Sequence, residues 1–122
     1  MVKILVIDDD KQMRHLIRKL LIRDGHDVFT AQDGMEGFHS FHQIKPDLII
    51  TDIVMPNKNG IELIADILIS NPSQAIIAMS GGRRTFNANS HVDSNELCGV
   101  KGLLHKPFAY QQLQDAVKIA LN

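Results

Sequence analysis

Four stretches of this chain carry side chains whose chemistry belongs together. Asp8, Asp9 and Asp10 stand in a row after an apolar run, Asp52 follows a second run, Ser80-Gly81-Gly82 follows a third, and Lys106-Pro107 follows a fourth. Three or more carboxylates gathered at one place repel: two unit charges ~4 Å apart cost about 4 kcal/mol at an effective dielectric of 20. Positive charge must compensate. A hard divalent cation suits carboxylate and carbonyl oxygens, and Mg²⁺ held by few protein groups keeps positions open for water and phosphate. Lys106 supplies a second positive charge. A carboxylate set between a metal and a lysine is equipped to attack phosphorus, because phosphoryl transfer depends mainly on positioning and on neutralising the oxygens in flight. Asp52 is the candidate nucleophile, since it sits alone at a strand end and a loop exposes it, whereas the first cluster suits metal holding. Ser80 would donate its hydroxyl to a phosphoryl oxygen, and Gly81 leaves room for the group to enter.

These residues need elements that bring them to one rim. VKILVID (2 to 8), HDVFTA (26 to 31), DLIIT (47 to 51), AIIAM (75 to 79) and GLLH (102 to 105) read as strands; the first is apolar at nearly every position, as a strand covered on both faces should be. Between them run segments of helical spacing. Met13, Leu16, Ile17, Leu20 and Leu21 form one stripe, with Arg14, Arg18, Lys19 and Arg23 on the wet side. A second helix spans about Gly34 to His42 and stops at Lys45-Pro46. Ile61, Ile64, Ile67 and Leu68 mark a third, with residues 52 to 60 as a loop before it. Another is expected between Thr85 and Cys98, and Leu113, Ala116, Val117, Ala120 and Leu121 mark the last. Five alternating βα units imply a parallel sheet with helices on both faces and right-handed crossovers. In such sheets the ligand site lies beyond the carboxyl ends of the strands, where the residues above fall.

Composition bounds the function. The chain has 122 residues, 13 Lys+Arg against 14 Asp+Glu for a net charge of −1, 44% hydrophobic and 22% charged residues. This suits one domain spanning 1 to 122, with an extensive core, no disorder signature and no basic field for nucleic acid. The single cysteine, Cys98, excludes an internal disulfide framework and reads as a small buried residue. The opening MVKILVIDDD is too short in apolar residues for a signal peptide, and no run approaches the roughly 18 that a membrane span requires. A cytoplasmic protein without membrane association is expected. His39 and His42, three apart on a helix, lack a third ligand and read as solvent-facing. Phe108 reads as a core anchor for the last helix.

The pattern ILVIDDD, DLIITDIVMPNKNG, IIAMSGG and LLHKPF, in that order and nearly end to end, resembles the receiver domain of two-component response regulators, of the single-domain chemotaxis type. The resemblance implies an α/β fold, a doubly wound five-stranded parallel sheet of order 2-1-3-4-5, the flavodoxin-like arrangement. It implies that Asp52 is the phospho-acceptor, taking a phosphoryl group from a histidine of a sensor kinase or a histidine phosphotransfer protein. It further implies that Asp9 and Asp52 hold Mg²⁺ with the backbone carbonyl of Val54, and Asp8 through a water. Ser80 fills the family's hydroxyl position and Lys106 its lysine, with Lys106-Pro107 cis. Asp10 has no role in the pattern and reads as a helix start. Two positions depart from it. The aromatic residue usual three positions before the lysine is Leu103, and the span from Ser80 to Lys106 is a few residues long, the excess falling in GGRRTFNANS. Ser80 and Leu103 are thus the switch positions, and the face from Ser80 to Leu104 would change on phosphorylation to meet a downstream protein. A homodimer through the fourth helix and fifth strand is a further expectation. No output domain is expected after the closing helix.

Two other functions fit parts of the sequence. A receiver-like docking module that is never phosphorylated would keep the fold without the chemistry. Asp8-x-Asp10 after a strand also resembles the nucleophile motif of haloacid-dehalogenase phosphatases, but Gln12 stands where that motif has Thr or Val, and the reading leaves Asp52 idle.

Overall fold

The apolar runs pair as their hydropathy requires. A computed structural model describes residues 2–55, 57–81 and 99–122. In it β1 (Lys3–Ile7), β2 (Asp27–Ala31), β3 (Leu48–Asp52), β4 (Ala75–Gly81) and β5 (Gly102–Lys106) form one sheet of order β2-β1-β3-β4-β5, every neighbouring pair parallel. Helices α1 (Lys11–Arg23), α2 (Gly34–Ile44), α3 (Gly60–Ser70) and α4 (Tyr110–Leu121) connect and close it. The helix expected between Thr85 and Cys98 lies outside the described residues, as does Cys98.

Side chains alternate across a strand, so each central strand feeds two cores. Ile4, Val6, Leu48, Ile50, Ile77, Met79 and Leu104 pack with Ile17 and Leu21 of α1 and Leu113, Val117 and Ala120 of α4. Leu5, Ile7, Ile49, Ile76 and Ala78 pack on the other side with Phe41 of α2 and Leu63, Ile64 and Ile67 of α3. Phe108 packs against the first core, as expected of an anchor. The apolar stripe assigned to α1 needs one correction: Leu16 is 48% exposed, because Ile17 and Leu21 already fill the line facing the sheet. Leu63, outside the expected α3 stripe, is fully buried instead.

Local chemistry fixes the helix starts. Asp10 is extended, with its Oδ1 accepting from the N–H of Gln12 at 2.9 Å and of Met13 at 3.4 Å, so it is the N-cap of α1. Asp33 caps α2 through the Glu36 N–H. Asn59 caps α3, its Oδ1 accepting from the Glu62 N–H while its side-chain amide donates to the Glu62 carboxylate. These caps set where each loop leaves the rim of the sheet. The strand ends differ slightly from the sequence reading. β1 stops at Ile7, whereas β3, β4 and β5 continue through Asp52, Gly81 and Lys106, because Asp52 is in register with Met79, and Ser80 and Gly81 with His105 and Lys106.

Candidate functional site

Period-two alternation decides which rim residues meet. Asp8 lies two residues beyond Val6, Asp52 two beyond Ile50 and Lys106 two beyond Leu104, all three predecessors belonging to the core under α1 and α4. Asp8 stays close to strand geometry, its N–H donating to the Ala31 carbonyl at 3.1 Å. The three functional side chains therefore emerge on one side of the sheet and converge. Lys106 Nζ donates to Asp8 Oδ2 at 2.7 Å and to Asp52 Oδ2 at 3.1 Å. One carboxylate oxygen from each of Asp8, Asp9 and Asp52 falls within 4.8 Å of the others.

The remaining bonds hold these groups in place. Asp8 Oδ1 accepts from the Asp10 N–H at 2.9 Å, and Arg14 donates to the Asp8 carbonyl at 2.7 Å. Asp52 Oδ1 accepts from the Val54 N–H at 3.3 Å, and the Thr51 hydroxyl donates to the Asp52 carbonyl at 3.0 Å. Gly60 allows α3 to begin hard against β3: a Cβ there would stand 2.1 Å from the Asp52 carbonyl oxygen. Asp10 spends its carboxylate on capping, which separates it from Asp8 chemically and works against the paired-aspartate phosphatase reading.

Asp8 is fully buried, and Asp52, expected to be exposed by the loop after it, is only 6% exposed because it ends β3 under Lys106 and the acid cluster. Burial pushes the Asp8 carboxyl up from its ordinary 3.8 to about 6, against the opposing pull of Lys106 and the Asp10 N–H. Burial alone would push Lys106 down, but its hydrogen bond to Asp8 and the charges of Asp52 and Asp8 outweigh it and hold the ammonium above its ordinary value. The cluster is thus a set of oxygen donors whose burial is only partly answered by Lys106. That donor set fits a hard divalent cation.

Ser80 lies two beyond Ala78, on the opposite side of the sheet, and its Oγ shares a 2.9 Å hydrogen bond with His105 Nδ1. Leu103 lies on that same side of β5 and is 45% exposed. The structure therefore joins Asp8, Asp9, Asp52 and Lys106, and pairs Ser80 with a histidine the sequence reading passed over. Arg14 and Thr51 were missed too. Only the exact cross-strand register would have exposed the His105 pairing, since Ser80 and His105 are far apart in sequence. Gly81 adopts φ +95 beside Lys106, a left-handed backbone that favours glycine. Lys106-Pro107 is cis. His39 and His42 are exposed, the latter edge-on to Phe38 with centroids 4.6 Å apart.

Residues 4–118 match the family model of the response regulator receiver domain. The chain belongs to that family. Among relatives of this receiver, the DNA-binding transcriptional regulator NtrC of Azospirillum brasilense is 36% identical over 119 residues, which are 98% of this chain and 24% of that protein. The chemotaxis protein CheY of Listeria monocytogenes is 29% identical, with 98% of each chain covered. The receiver thus spans about a quarter of one relative and nearly all of the other. The response regulator TrrA of Thermotoga maritima, solved in complex with Mg²⁺ and BeF, superposes with a TM-score of 0.85 at 29% identity, covering 99% of this chain and 100% of that one. Receiver domains of two-component systems are signalling switches, and the flavodoxin-like order 2-1-3-4-5 is the one observed here. No helix among the described residues is long and apolar enough to cross a membrane.

Proposed function

We propose that this receiver is a phospho-accepting switch in which Asp52 takes a phosphoryl group from a histidine of a sensor kinase or a histidine phosphotransfer protein in the cytoplasm. The observation that carries the reading is Lys106 Nζ bridging Asp8 Oδ2 at 2.7 Å and Asp52 Oδ2 at 3.1 Å, with Asp9 beside them. An Asp52 oxygen forms the new O–P bond as the N–P bond of the phosphohistidine breaks, and the donor imidazole recovers a proton. Lys106 is released from Asp52 to bind an oxygen of the arriving group, while its bond to Asp8 keeps the ammonium charged and aimed. Asp9 and Asp52 would hold Mg²⁺ with the Val54 carbonyl, and Asp8 through a water. Bound there, the metal would neutralise oxygens of the transferring group. The Asp8 carboxyl, raised by burial, would be held ionised by that second positive charge.

The product carries about −1.5 to −2 charges and three strong acceptor oxygens at the rim. Ser80 and Lys106 would bind two of them, biasing the face from Ser80 to Leu104 that a downstream protein reads, or that pairs with a second copy of the chain. Incubation with acetyl phosphate and Mg²⁺, followed by acid quench and intact-mass measurement, tests the assignment. Wild type should gain one phosphoryl group and Asp52→Asn none. Labelling of Asp52→Asn together with loss in Asp8→Asn would move the nucleophile to Asp8, whereas no labelling of wild type would favour a docking module.

A further inference from the structure

The Ser80 hydroxyl, which the proposed switch needs at the rim, is already engaged. It is bonded to His105 Nδ1 at 2.9 Å, and the pair is held by the cross-strand register of β4 and β5. A serine hydroxyl has one proton to donate. In the tautomer that leaves Nδ1 unprotonated the serine donates to it, and that proton is then not available to a phosphoryl oxygen on the Asp52 side of the sheet. His105 is exposed and shares its side of β5 with exposed Leu103, whereas the residues between and after them, Leu104 and Lys106, face the core and the acid site. Whatever releases the imidazole therefore alters the outer face of β5 directly. Leu103 has no polar atom through which to sense Ser80.

We propose that His105 is the positioning residue of the switch: it holds the Ser80 hydroxyl away from the acid site until phosphorylation, then is released onto the outer face of β5. The inference rests on the phospho-acceptor reading above and gives Ser80's movement an output that Leu103 cannot supply. In that tautomer the His105 bond must break for the phosphoryl bond to form, so the imidazole opposes activation. Its removal should favour the activated state.

The test uses the full chain with Mg²⁺ and beryllofluoride as a phosphoryl mimic, followed by NMR of backbone amides and of imidazole nitrogens. Shifts of the Ile53 and Val54 amides report mimic binding at Asp52, and the His105 Nδ1 signal reports release. Both should move in wild type. In Ser80→Ala the His105 signal should begin where the wild-type signal ends. His105→Val should bind the mimic roughly two- to tenfold more tightly, the worth of one net hydrogen bond, while His105→Asn, whose amide can replace Nδ1, should return to within about twofold of wild type. A purely structural role would not give tighter binding with rescue by Asn. Moving amides with a stationary His105 signal, or unchanged or weaker binding by His105→Val, would overturn the role of His105 alone. Stationary amides would overturn the phospho-acceptor reading and this inference with it.

Discussion

The two sides of the sheet's carboxyl rim are built on opposite terms. On the side of α1 and α4, Asp8, Asp52 and Lys106 are ionisable groups almost closed from water, each fixed by the others and by backbone donors. On the other side, Ser80 and His105 share a single bond, with Leu103 standing in solvent. Buried charges are held by geometry because any loosening leaves one unpaired in low dielectric. A single hydrogen bond open to solvent is worth little net, since water replaces it readily. The first side is therefore suited to holding a reacting group in one geometry, and the second to changing state under a modest load.

The largest break of this contrast is Lys106→Met. Removing the ammonium leaves Asp8 and Asp52 buried without it, and the expected loss is about 3 to 5 kcal/mol in urea unfolding at neutral pH in chelator. Adding Asp8→Asn to that variant should recover part of the loss. If Lys106→Met unfolds at the wild-type midpoint, the acid side is not the tightly coupled one.

Asp8→Asn comes next, and its sign is opposite. The folded state raises the Asp8 pKa from 3.8 to about 6, so between those values it binds more protons than the unfolded chain. The Asp8 contribution to stability must then fall as pH rises across that window. Above it, wild type carries an ionised carboxylate in a buried place, and Asp8→Asn should be the more stable by about 2 to 3 kcal/mol without metal. The difference between the two proteins, in which other carboxylates cancel, should open between about pH 4 and 6 and narrow when Mg²⁺ is added. A constant difference across pH would place the charge penalty elsewhere.

Asp10→Ala separates position from chemistry within the acidic run. It removes the α1 cap and should cost about 1 kcal/mol, while phosphoryl capture at Asp52 is retained. Loss of labelling with the fold intact would make Asp10 part of the acid site.

The acid side was legible in the sequence because its signals are local. A strand of apolar residues ending in acids or in Lys-Pro announces both its direction and its rim, so Asp9, Asp52 and Lys106 could be placed from position alone. Strand order followed from the family resemblance and is the order observed. The tertiary partners were not legible. Arg14 looks like one of several surface cations on α1 until its reach to the Asp8 carbonyl is known. Leu16 fits a helical stripe as well as Ile17 does, and only the line of contact with the sheet separates them. His105 is hidden for a further reason: its partner lies on another strand, and β4 had to continue past Met79 before the register could bring it opposite Ser80.

Leu103 gives the smallest and sharpest comparison, because its neighbour Leu104 belongs to the other side of the same strand. Leu104 is 5% exposed and packs in the core with Val117 and Leu113, while Leu103 is 45% exposed. Truncating a buried leucine costs about 2 to 5 kcal/mol through lost transfer energy and the cavity left behind. A surface change stays within about 0.5 kcal/mol. Leu103→Ser should accordingly leave the urea midpoint nearly unmoved. The same substitution should still alter affinity for any partner that reads the outer face of β5, since Leu103 and His105 form its exposed apolar and polar positions. If Leu103→Ser instead destabilised the protein by more than about 1.5 kcal/mol, as core truncations do, that face would have to be covered in solution. The rim would then have two packed sides, and the Ser80–His105 pair could not move under the modest load that the exposed arrangement allows.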